Sequence, residues 1–151
     1  LGFQVPSTTF SIQCIGSLAQ GTEWNSLIQE SAAAWNNTVG TNITVTSSST
    51  SVYTCMVCSF YDDDWYGLTT SYVSNGITVK AEIQINARTC SNSDTTRKST
   101  ITHEIGHLLG LNDNPPIGAN YSLMNHDRNR DMVYVPQPYD ISNVKYIYEI
   151  E

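Results

Sequence analysis

The chain has 151 residues, 40% of them hydrophobic, which fits one packed domain over 1–151 and excludes a disordered chain. Seven Lys plus Arg stand against fourteen Asp plus Glu, and a net charge of −7 argues against nucleic acid as a partner. No stretch approaches the ~18 consecutive apolar residues of a membrane span, so no membrane partner is expected either.

Phe10, Ile12 and Cys14 alternate with polar neighbours and predict a first strand. Thr22 to Thr38 reads as a helix with Thr22 as N-cap and Trp24, Leu27, Ile28 and Trp35 on one face. Ile43 and Val45 suggest a second strand, a third lies near Val52 or Phe60, and Leu68, Thr70 and Tyr72 suggest a fourth. The clearest strand runs from Ile77 to Asn86, with Ile77, Val79, Ala81, Ile83 and Ile85 facing inward; Ser74-Asn75-Gly76 before it has turn chemistry. A helix capped near Ser93 or Asp94 runs to about Leu109. A loop rich in Asn, Asp and Pro follows. A last helix, capped by Asp140 or Ser142, turns Ile141, Val144, Ile147 and Tyr148 inward. The order implies an α+β domain with a mostly N-terminal sheet.

Cys14, Cys55, Cys58 and Cys90 are even in number and have no histidine nearby, which favours two disulfides in an oxidising compartment over a zinc ribbon. The chain starts at Leu1 without Met or an apolar leader, as a processed secreted product would. The sequons at Asn36, Asn42 and Asn120 are glycan acceptors only in a host that adds them.

All three histidines fall within twenty-four residues, and two form His103-Glu104-Ile105-Gly106-His107. Residues four apart on a helix differ by about 40° and about 6 Å, so both imidazoles reach one ion. Glu104, turned about 100° from His103, suits a general acid/base acting on water at that ion. Ile101, Ile105, Leu108 and Leu109 occupy the opposite face of the helix and pack on the sheet. A catalytic zinc ordinarily has three protein ligands. A later Glu is nearly excluded, since only Glu149 and Glu151 remain. Gly110 can take positive φ, end the helix and swing Asp113 back toward the ion; His126 is the other candidate for third ligand.

The string from His103 through Gly110 to Asp113 resembles the metzincin zinc endopeptidases, whose signature is HExxHxxGxxH/D. The Asp variant is similar to snapalysin-like members, with matrixin-like character elsewhere. The resemblance implies a single zincin-like catalytic domain: a twisted, mostly parallel sheet with an antiparallel edge strand, an active-site helix, a Met-turn and a C-terminal helix. It implies one catalytic Zn2+ on His103, His107 and Asp113, and peptide-bond hydrolysis with Glu104 as general acid/base. Ser122-Leu123-Met124 matches the Met-turn, with Met124 beneath the metal as a non-ligating base. Ile77–Asn86 would be the edge strand along which a protein or peptide substrate docks. His126 stands where some members place a tyrosine, which implies a tentative role in stabilising the oxyanion. A small secreted protease of this kind is by default a monomer.

Two other readings stay open: a zinc-binding module without turnover, and an aspzincin-like hydrolase with Asp127 as ligand. Asp62-Asp63-Asp64 is a candidate for Ca2+, although such a run is ordinarily a solvated loop. No histidine precedes His103, so a second, structural zinc is not expected. Tyr121, Tyr134 and Tyr139 flank the loop that would form a primed-side pocket.

Overall fold

The computed structural model describes residues 4–48, 54–90 and 93–151. Alternating burial builds β1 (Thr9–Ile15), with Phe10, Ile12 and Cys14 inside. A four-residue helix, α1 (Ser17–Gln20), turns the chain into α2 (Thr22–Val39). The N-cap of α2 is Gly21 rather than Thr22, because the two helices abut and Gly21 alone separates them. Trp24, Leu27, Ile28 and Trp35 are all buried, as their spacing requires. β2 (Asn42–Thr46), β3 (Thr54–Ser59), β4 (Gly67–Ser74) and β5 (Ile77–Asn86) complete a sheet of order β2-β1-β3-β5-β4. Every pairing is parallel except β4 with β5. Val52, one of two anchors for the third strand, lies outside the described residues; Phe60, the other, follows β3 and is exposed.

The edge strand is β4, not Ile77–Asn86. β5 pairs with β3 on one side and β4 on the other, so it has no free row of backbone groups. Asn75 and Gly76, at φ 52° and 77°, form the tight hairpin that hangs β4 outside β5. The alternation of β5 also breaks once. Tyr72 pairs with Lys80 but Val73 with Thr78, leaving Val79 unopposed. This bulge turns Val79 outward to 52% exposure and buries Thr78.

α3 (Asp94–Leu108) starts as expected, with Ser93 Oγ accepting the Thr96 N–H at 3.0 Å. α4 (Pro138–Tyr148) is capped by Gln137, ahead of both Asp140 and Ser142, because Pro138 is preset for the first helical position and Asp140 closes a capping box. The helices α2 and α3 pack together, and Trp35 Nε1 donates to the Thr102 carbonyl at 3.0 Å across their seam. Ile12, Met56, Ile83 and Ile85 from the sheet and Ile101, Ile105 and Leu108 from α3 fill one continuous core. Among the described residues no helix is long and apolar enough to cross a membrane.

The expected disulfides are absent: all four cysteines are free thiols. Cys55 and Cys58 are three apart on a strand, so they face opposite sides of the sheet. Cys14, Cys58 and Cys90 are buried on the core side. Burial pushes the Cys14 thiol up to about 11; burial and then the neighbouring Cys14 and Cys90 push Cys58 up to about 12. The oxidising compartment loses the pairing on which it rested. Alkylation at about pH 8 should therefore label Cys55 first in the native protein and reach four thiols only in denaturant. Mass spectrometry reads this directly, and fewer than four labels in denaturant would restore a disulfide.

Candidate metal centre and cleft

His103 and His107 stand one helical turn apart on α3, their rings 4.9 Å apart and edge to face. Each ring is fixed by its Nδ1, His103 on the Leu123 carbonyl at 2.9 Å and His107 on the Leu111 carbonyl at 2.8 Å. A carbonyl only accepts, so both Nδ1 atoms carry a proton, and Nε2 is the atom each ring has left to give a metal in exchange for its own proton. These are the atoms that converge.

The third member arrives through a change of backbone hand. Leu109 ends α3, Gly110 takes φ 93°, and the Leu111 N–H returns to the Gly106 carbonyl at 3.0 Å. A side chain at 110 would be strained in that region, which is why glycine is needed there. The turn brings Asp113 Oδ1 to 3.0 Å from His103 Nε2 and 3.1 Å from His107 Nε2. Burial works against the Asp113 anion, but the two imidazoles outweigh it and hold the carboxyl well below the usual range. Burial lowers the His103 pKa; for His107 the Asp113 and Glu104 carboxylates overcome burial and raise it.

Donors at about 2.0–2.1 Å from a tetrahedral zinc stand roughly 3.3 Å from one another. The Asp113 to histidine separations are close to that edge, so the donor set fits such an ion with little movement. The ligand atoms of His103, Glu104 and His107 also lie within 4.8 Å of one another. Of the two carboxylates, Asp113 touches both Nε2 atoms, whereas Glu104 Oε2 is 3.6 Å from His103 Nε2. Glu104 has another tie, because the Thr69 hydroxyl lies 2.8 Å from its Oε1 and anchors it to β4. The edge strand thus orients the candidate base. Leu68, Thr69 and Ser71 of β4 line one side of a cleft of about 320 Å³, and His103, Glu104, His107, Asp113 and His126 line its floor.

Beneath the cluster lies Met124, 1% exposed, under Gly106 of α3. A Cβ at 106 would sit 2.8 Å from the Met124 sulfur, so only glycine lets the two segments meet. Asp140 holds this turn from α4. Its Oδ1 accepts from Ser122 Oγ at 2.6 Å, and its Oδ2 accepts from the Leu123 N–H at 2.7 Å and the Gln137 N–H at 2.9 Å. Leu123 then offers its carbonyl to His103, so a chain of contacts runs from α4 to an imidazole of the site. Asp140→Ala is expected to weaken metal binding by roughly 10–100-fold. It should also destabilise the metal-free protein by roughly 3 kcal/mol, because buried donors lose their acceptor. Zinc titration and denaturant unfolding would measure the two effects.

The chain matches no protein-family profile and no curated protein. Solved structures do match. Two structures of myroilysin superpose on 97% of this chain with TM-scores of 0.65 and 0.67, covering 95% and 86% of their own chains at 12% and 13% identity. A chain in the GM1-bound form of the ECX AB5 holotoxin matches 93% of this one at a TM-score of 0.61 and 17% identity, with 80% of that chain covered. The chain shares its fold with myroilysin. At such identities the likeness speaks for architecture, a five-stranded, mostly parallel sheet with one antiparallel edge strand, and leaves the chemistry to the site.

The remaining sequence candidates separate. His126 stands at the mouth of the cleft, its Nε2 3.5 Å from Asp113 Oδ2 and its side chain half exposed. Asp127 is exposed, and its N–H caps an Asn125 side chain. Asp113 is the carboxylate that touches both imidazoles. Around Asp62-Asp63-Asp64, the Arg88 guanidinium donates to the Asp62 and Asp63 carbonyls and faces Asp64, so a built-in cation already serves that loop. Tyr139 lines a cavity of about 410 Å³ beside Asp113, while Tyr134 packs under Lys98 and Tyr121 is 70% exposed. Asn36 is committed to β2, accepting the Ile43 N–H at 2.8 Å. Sequence reasoning missed Thr69 and Asp140. Thr69 lies in a strand whose sequence signals only its apolar face, and Asp140, which does close the α4 capping box, carries no sequence signal for its hold on Ser122 and Leu123.

Proposed function

We propose that this chain is a zinc-dependent endopeptidase that cuts extended protein or peptide segments as a monomer. The observation that carries the reading is one carboxylate oxygen shared by two imidazoles of fixed tautomer, next to a second carboxylate held by an open sheet edge. His103, His107 and Asp113 would hold the metal. Bound there, zinc supplies Lewis-acid polarisation of a carbonyl and lowers the pKa of water toward about 7.

The chain's own groups account for the rest. The free backbone row of β4 takes a substrate as an added strand, which presents a peptide bond across the cleft floor. Thr69 keeps Glu104 Oε1 occupied, leaving Oε2 to receive a proton from the attacking water and pass it to the leaving amine. His126 Nε2, at the cleft mouth, is placed to donate to the developing oxyanion. Secretion remains part of this reading, with the metzincin resemblance as its support.

The deciding experiment is zinc content measured with casein hydrolysis, with and without a chelator. About one zinc per chain and chelator-sensitive cleavage that returns on adding zinc are expected. Zinc bound without cleavage would replace the reading with that of a metal-binding module.

A further inference from the structure

A second cavity, of about 270 Å³, adjoins the cleft and shares Gly67, His103, Glu104 and His126 with it. Its far wall carries Arg128 and Arg130. Arg128 is 5% exposed, and its guanidinium donates to Ser99 Oγ, the Ser99 carbonyl and the Asn125 carbonyl. Arg130 stacks over the Tyr66 ring at 4.4 Å, and its Nη1 is buried with no hydrogen-bond partner. Among the described residues, neither arginine has a carboxylate within ion-pair distance. Acidic residues outnumber basic ones fourteen to seven in this chain, so carboxylates are plentiful elsewhere. Glu104, Asp140 and Asp113 lie near enough to act on the Arg128 charge, yet none pairs with it, and the buried Arg130 Nη1 is the donor left for an anion that comes from outside. The acid on the rim, Asp64, is fully exposed and turned toward Arg88, and Glu104 across the cavity is held by Thr69.

The sheet edge gives the direction. β4 starts at Gly67, at the mouth of this cavity, and runs across the cleft to Ser71 and beyond. A segment pairing antiparallel with β4 runs the other way, so its C-terminal half passes over Gly67. We propose that this cavity is a carboxylate subsite, in which Arg128 and Arg130 select substrates carrying an acidic group just after the bond that is cut. The proposal rests on the endopeptidase reading. The carboxylate has two possible sources, an Asp or Glu side chain and the α-carboxylate of a short peptide.

The test gives zinc-loaded protein a peptide library randomised at the residue after the cut, in C-terminally amidated and free-acid forms, with products identified by mass spectrometry. Asp and Glu should be enriched about tenfold over Asn and Gln, the worth of one charge-assisted contact. An advantage of short free-acid peptides over their amides that does not depend on Asp or Glu would instead assign the subsite to a chain terminus. Arg130→Glu should abolish the preference and favour Lys or Arg, with cleavage in front of neutral residues kept within about threefold. Arg130→Gln, a gentler change, should lose the preference without reversal; zinc content and melting of both variants check the fold. No preference for either kind of carboxylate in the wild type, or an unchanged preference in folded Arg130→Glu, overturns the subsite. Should the wild type cut nothing, fluorescence anisotropy of a labelled, amidated Glu tetrapeptide separates the two ideas. Binding lost in Arg130→Glu keeps the subsite while the peptidase reading falls, and equal binding of the Gln counterpart overturns the subsite.

Discussion

Glu104→Gln is expected to retain its metal and to lose about 10³-fold in kcat, close to 4 kcal/mol of barrier. The substitution is nearly isosteric, so Thr69 still has an oxygen at 2.8 Å to hold and the His103 and His107 tautomers are untouched. What disappears is a group able to take a proton from water and release it to an amine. Metal content together with turnover of a fluorogenic peptide distinguishes this loss from simple unfolding. A variant with full metal and near-normal turnover would remove Glu104 from the chemistry.

Asp113→Ala should lose the metal itself. Among the described residues its Oδ1 is the carboxylate oxygen that touches both Nε2 atoms, so without it two imidazoles of α3 would have to hold the ion alone. The expected fall in zinc affinity exceeds the roughly 10–100-fold that outer hydrogen-bond partners are worth, and activity falls with it. His126→Ala gives the contrast: zinc retained, turnover reduced. If Asp113→Ala keeps its zinc and His126→Ala does not, His126 becomes the third ligand. Equilibrium zinc titration of both variants decides between them.

The parts legible in the sequence were those set by neighbours along the chain. Ser93, the α3 periodicity, the paired histidines and the glycine that ends their helix are local signals, and each lies where local physics places it. Strand order is not local. Nothing within Ile77–Asn86 tells whether β4 or β5 occupies the edge, because that depends on where β3 pairs. Asn86 shows the same limit. Read as an outward residue at a strand end, it is fully buried and serves the loop before β4, donating to the Asp63 and Trp65 carbonyls and accepting from the Tyr61 N–H. Even parity suggests two disulfides, but β3 puts Cys55 on the sheet face opposite the buried Cys14, Cys58 and Cys90, which leaves it without a partner for a second one.

The open side of β4 carries a colloidal consequence. A row of backbone groups left unpaired among the described residues, which under the proposed function would take a substrate, would take the same edge of a second molecule equally well, and such a pair would cover both clefts. Two features counter this. The bulge that leaves Val79 unopposed disturbs the far end of the hairpin, and the net charge of −7 keeps like molecules apart over a Debye length of about 8 Å at physiological salt. Acidity, which says nothing about the reaction, would in this light help an open sheet edge stay unpaired in concentrated solution.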